Sequence, residues 1–217
     1  MGELLACRII FVMNSRERVL AAIAHKQPDQ VPVDLGSTPS SGISAIAYSN
    51  LLKSIGRTDL PVQIYDVVQQ LAQPDMSIID RFGVDVLDIG RAFNTEEKDW
   101  HETILANGDK AFYPIHFNPV KQADGSYHCY DEDGKRLLAL MPQGATFFDQ
   151  SYFPYINGFP ENYDTLDEEM GRVLWSRYVH SPWDHTQDPD FWKTLREKTL
   201  QLRASKSSIR YKRMPVK

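Results

Sequence analysis

Val31-Pro-Val-Asp-Leu-Gly36 and Phe82-Gly-Val-Asp-Val-Leu-Asp-Ile-Gly90 decide how this chain is read. Each is a short apolar run that carries an aspartate with a glycine close behind. A buried parallel strand that delivers a carboxylate to the top of an α/β sheet has this form. Asp34 and Asp88 are therefore the first candidates for function. A carboxylate at such a strand end can hold a substrate nitrogen, accept a proton or stabilise a cation. The competing role is structural, with each aspartate capping the loop that follows its strand. Asp85, out of step with Asp88, is expected to face a helix or solvent. Arg91 and Asn94 follow in the same loop and suit an anionic group on a substrate.

The flanking sequence supports an α/β order. Asn14 with Glu17 has the form of a capping box, and Val19, Leu20, Ala22 and Ile23 follow as an apolar face, so a helix is expected over 15–25. Residues 31–35 are expected as the first strand. A second helix is expected over 43–55, with Gly56 as its stop. Residues 65–73 are helical in pattern. Pro74 suits the first position of a further short helix that Gly83 ends, and the second strand, 84–89, comes next. The order α-β-α-α-β, with helices between strands, is that of a parallel sheet. From about 100 to 150 the character changes. Asn107-Gly108, Asp124-Gly125 and Asp133-Gly134 separate short strand-like runs, which predicts three or four antiparallel strands inserted as hairpins. They would form a lid or a plain structural insertion. Helices are expected over 166–178 and 190–202. Residues 206–217 read as a basic tail, and 1–12 as a non-native extension ahead of the first helix.

Composition narrows the functional classes. The chain has 217 residues, 42% of them apolar, and a net charge of -5, which argues against general affinity for nucleic acid or an anionic membrane. Two cysteines give no disulfide framework and point to a reduced, cytoplasmic setting. No apolar run reaches the roughly 20 residues that span a bilayer. His128-Cys129 is a tempting metal pair, but adjacent strand residues face opposite sides. No other spacing gathers zinc ligands, so no metal site is expected. Nucleotide-binding glycine loops and the serine hydrolase elbow are absent.

Asn14-Ser-Arg-Glu-Arg-Val-Leu-Ala-Ala-Ile, His25-Lys-Gln-Pro-Asp and Val31-Pro-Val33 together resemble the opening of the uroporphyrinogen decarboxylase superfamily. Tyr65-Asp66 and Arg81-Phe-Gly-Val-Asp-Val-Leu-Asp88 fit the same pattern. The resemblance runs over about 13–205 and implies a (β/α)8 TIM barrel. At this length the barrel would be incomplete, so a truncated chain is expected, with a missing C-terminal half as one possible partner. The superfamily holds cofactor-free decarboxylases and zinc-dependent methyltransferases, which move methyl groups between corrinoid proteins and thiols such as coenzyme M. In the decarboxylases an aspartate near the end of the second strand holds the pyrrole nitrogens of the substrate, and Asp88 lies in the matching region. The arginines that bind substrate carboxylates around the first strand are missing here. The resemblance therefore leans to the methyltransferase-related branch. It implies a small-molecule substrate, a corrinoid protein partner and zinc for a full-length homologue, with no cofactor held by this chain. Porphyrinogen decarboxylation and a non-catalytic fragment or split subunit are the competing expectations.

Overall fold

The computed structural model describes residues 12–93, 96–180 and 182–208. Among them helices mix with antiparallel sheets, and no closed barrel forms. Helix α1 (Ser15–Ile23) begins at the expected capping box: the Asn14 side chain accepts the Glu17 N–H at 3.0 Å, and the Glu17 carboxylate accepts the Asn14 N–H at 2.9 Å. Arg18 is the residue of this helix that is buried. Its guanidinium donates to Asp29 at 2.7 and 3.0 Å, to Asp85 at 2.5 Å and to the Met13 carbonyl at 2.8 Å. Asp85 therefore faces α1. Its other oxygen accepts the Val33 N–H at 3.0 Å.

The two expected parallel strands are reduced to a single parallel bridge, Asp34 to Val86. Pro32 has no N–H to offer a ladder. The Val33 N–H is taken by a carboxylate instead of a strand carbonyl, although the Val33 carbonyl does accept the Asp85 N–H at 2.7 Å. Past the bridge the backbone turns into a single 3₁₀ turn, Ile89–Ala92.

Residues 65–73 correct the helical expectation. They belong to a hairpin of β2 (Ile64–Asp66) and β3 (Leu71–Ala72), which β1 (Ile43–Ser44) joins in the order β1-β3-β2. The Asp66 carboxylate accepts the N–H groups of Val68 and Gln69 at 3.1 and 2.9 Å. Gln70 lies in the left-handed region at φ 55°. A side chain that captures backbone donors two and three residues on makes a turn at the helix's expense. Helix α2 (Ala45–Ser54) runs close to expectation and is capped by Ser44. Helix α3 (Met76–Arg81) is capped by Asp75, so Pro74 stands just before the cap and not inside the first turn.

The expected hairpin region is real and richer than three or four strands. β4 (Trp100–Ile104) and β5 (Lys110–Pro114) form one hairpin. β6 (Val120–Lys121), β7 (Tyr127–Tyr130), β8 (Leu137–Met141) and β9 (Asp149–Gln150) form a four-stranded antiparallel sheet in chain order. Gly108, Gly125 and Gly134 take the left-handed turn positions at φ 83°, 84° and 68°. These strands share one core with the first part of the chain. Phe117, Cys129, Ala139 and Phe148 pack with Tyr48, Ile64 and Val67. Backbone bonds join the two parts as well, from Phe112 N–H to the Val62 carbonyl at 2.8 Å and from Phe148 N–H to the Val68 carbonyl at 2.9 Å.

The helix expected over 166–178 divides into α4 (Leu166–Gly171) and α5 (Leu174–Tyr178). The Arg172 guanidinium pairs with Glu168 and Glu169 just where the chain breaks step. Tyr178 then ties α5 to the β7 end by donating to the Tyr130 carbonyl at 2.7 Å. α6 (Phe191–Ser208) runs longer than expected, so the first residues of the anticipated basic tail continue its backbone. Residues 1–11 and 209–217 lie outside the described residues.

Candidate functional site

The parallel bridge sets the Asp34 and Asp88 segments side by side. Both carboxylates cap their own loops. Asp34 accepts the Ser37 N–H at 3.1 Å and its hydroxyl at 2.5 Å. Asp88 accepts the Gly90 N–H at 2.8 Å. Gly90 is constrained at this point, because a Cβ there would stand 3.0 Å from the Asp88 carboxylate. The cap uses one oxygen of Asp88. The other has no hydrogen-bond partner among the described residues, and the side chain is only half-buried.

Tyr65 faces both. In β2 its neighbours Ile64 and Asp66 turn into the core, which leaves Tyr65 on the opposite face. Its hydroxyl is buried and finds no hydrogen-bond partner among the described residues. Burial drives the acidity of this phenol well below normal, and the charges of Asp66, Asp88 and Asp34 drive it further in the same direction. The hydroxyl therefore stays protonated, a donor held beside carboxylates. Asp66 is already engaged by Val68 and Gln69, so Asp88 and Asp34 are the acids with capacity to spare. One donor beside two acceptors can hold a ligand that carries an N–H or ammonium group next to an oxygen.

Arg91 turns elsewhere. Its guanidinium donates to the Pro74 carbonyl at 2.5 Å. It lines a hollow of about 450 Å³ with Gln73, Asp75 and, from α6, Lys198, and neither Asp34 nor Asp88 lines that hollow. Burial lowers the pKa of Arg91, while the charges of Asp75 and Asp88 work against that. Asn94 lies outside the described residues. Of the four candidate residues, two are thus brought together, one is turned to a neighbouring hollow, and one is not described. Tyr65 escapes a sequence reading as a site residue because the pattern around it fits a helix. The alternation Ile64-Tyr65-Asp66 is the available sign.

His128 and Cys129 point to opposite faces of β7. Cys129 is buried, and burial pushes its thiol up to about 12. His128 joins a polar chain: its ring nitrogens lie 3.0 Å from the Tyr130 hydroxyl and 3.2 Å from the Ser126 hydroxyl, which in turn donates to Asp124 at 2.6 Å. His116 and His180 stack with ring centroids 4.0 Å apart, a pairing with no sign in the sequence. Among the described residues no group of three or more His, Cys, Asp or Glu side chains is placed to hold a metal ion. Among the described residues no helix is long and apolar enough to cross a membrane. No family model, no curated protein and no solved structure matches this chain.

Proposed function

We propose that residues 13–205 form the opening of a uroporphyrinogen decarboxylase-like barrel and supply its substrate-binding corner, with Asp88 as the principal contact. The observation that carries this reading is the buried Tyr65 hydroxyl, without a partner among the described residues and within the field of Asp88 and Asp34. An unsatisfied buried hydroxyl costs about 1–3 kcal/mol, and a bound ligand is one way to recover it. In this reading Asp88 accepts an N–H or ammonium group of a small substrate. Tyr65 donates to an acceptor on the same molecule, and Asp34 reinforces the negative field. The wider reaction is methyl transfer, with a corrinoid protein as partner. Zinc, which the resemblance assigns to a full-length homologue, would lower the pKa of a thiol acceptor.

Porphyrinogen decarboxylation is the second reading. It is favoured by the same corner, since an acid and a phenol suit pyrrole N–H groups. It is opposed by the lack of arginines in the stretch directly after Val33, where a polycarboxylate substrate needs them.

Titration of the full chain with uroporphyrin, methylcobalamin and coenzyme M, followed by tryptophan fluorescence, separates these readings. A saturable response to methylcobalamin or coenzyme M supports the first, and one to uroporphyrin supports the second. Either response should weaken about tenfold in Asp88→Asn, the effect of one lost charge-assisted hydrogen bond. No saturable response to any of the three, or one that Asp88→Asn leaves intact, removes the corner as a binding site.

A further inference from the structure

We propose that the hollow between Pro74, Arg91 and helix α6 is a second binding site, one that takes a small organic molecule through its carboxylate or phosphate group. It is independent of the Asp88 corner and of the barrel reading.

The first support is Arg91. A guanidinium offers five N–H donors in a fixed fork. That of Arg91 is half-buried, yet among the described residues it makes one hydrogen bond, to the Pro74 carbonyl, and no ion pair. A half-buried guanidinium with donors to spare can take a carboxylate or phosphate in bidentate geometry. The acid in the wall, Asp75, is occupied as the cap of α3, where it accepts the Ser77 N–H at 2.8 Å and its hydroxyl at 2.5 Å.

The second support is the composition of the walls. Lys198 brings a second cation from α6, with its ammonium 4.9 Å from the centre of the Phe93 ring. Arg91 and Lys198 thus line the same hollow as Asp75. Gln63 and Gln73 add amide groups, and Pro61 and Met76 add apolar surface. The third support is size. About 450 Å³ is more room than a bare inorganic anion fills and falls in the usual range for small-ligand pockets. The anionic end belongs on Arg91, and the organic remainder lies against the apolar wall.

The test is calorimetric titration of the full chain with inorganic phosphate and, separately, with succinate, at an ionic strength held constant with sodium chloride. Saturable one-site binding of either is expected, and the arm that binds tighter tells phosphate from carboxylate. Arg91→Lys keeps the charge but loses the fork, so it should weaken binding about tenfold. Lys198→Gln should weaken it severalfold, and Lys193→Gln, an exposed lysine of the same helix outside the hollow, should leave it unchanged. If Arg91→Lys loses its circular dichroism spectrum, Lys198→Gln decides the matter. No saturable heat with either anion, or equal binding in both hollow variants, overturns the site. A chain that responds to methylcobalamin, coenzyme M or uroporphyrin but to neither anion refutes this inference and leaves the corner reading standing. The opposite pattern does the reverse.

Discussion

The hydroxyl of Tyr113 on β5 donates to the side-chain carbonyl of Gln70 at 2.7 Å, inside the core. Gln70 is the left-handed residue of the β2–β3 turn, and its amide donates to the Val67 carbonyl at 2.5 Å. One side chain thus holds the turn closed and ties it to the hairpin region. Tyr113→Phe leaves the Gln70 carbonyl buried without its donor and should lower stability by about 1–3 kcal/mol. Urea unfolding of the two proteins checks this. An unchanged midpoint would mean that the turn holds itself.

Tyr65→Phe should act in the opposite direction. Its hydroxyl has no partner to lose among the described residues, so its removal should stabilise the free chain by about 1 kcal/mol. In a chain of this size that raises the melting temperature by about 2–4 °C. The same substitution should weaken ligand binding at the corner, the usual opposition between stability and function. A lower melting temperature would show that the hydroxyl is satisfied in solution.

Arg18→Met should be among the most damaging single changes. It leaves the Asp85 carboxylate, fully withdrawn from solvent, without its cation, and breaking such a pair costs about 3–5 kcal/mol. The pH dependence follows from Asp29. The Arg18 guanidinium beside it holds its pKa at about 2, against 3.8 for an ordinary aspartate. A depressed carboxylate pKa contributes stability that is complete above the unfolded value and is lost as pH falls through the folded one. Urea midpoints of the natural chain should therefore drop between about pH 4 and pH 2. In Arg18→Met this part of the drop should be absent.

Cys129 should resist alkylation. Its buried thiol, raised to about 12, carries almost no thiolate at pH 8. In a Cys7→Ser background, iodoacetamide labelling followed by mass spectrometry should be at least about a hundredfold slower in the folded chain than in urea. Comparable rates would place this side chain at the surface.

Local chemistry is legible in the sequence, and long-range pairing is not. Asn14 with Glu17 and the Asn-Gly and Asp-Gly turns are decided within four residues, and each produces the element it implies. Residues 65–73 mislead because Val67, Val68, Leu71 and Ala72 fit a helical face as well as a hairpin. The Asp66 carboxylate settles the choice by taking two backbone donors. The strand around Val33 reads longer than it is because nothing near it in the chain shows that Asp85 will claim its N–H. At the site, Asp34 and Asp88 are visible from their position after apolar runs. Tyr65 is not, since no neighbouring residue announces that a hydroxyl will go without a partner. The hollow beside Arg91 depends on α6, which arrives far along the chain.

Helix α1 is fastened by charge more than by oil. Leu20 and Ile23 stay exposed, and the side chain that goes inside is Arg18. Such an anchor responds to protons while an apolar core does not. As acid neutralises Asp29, α1 should open as its own cooperative unit before the remainder unfolds, and its amides should exchange with deuterium at a lower opening free energy than those of β5 or β8. The first helix is then a hinged panel on a more durable frame, and the Asp34 segment, tied to it through Val33 and Asp85, would swing with it.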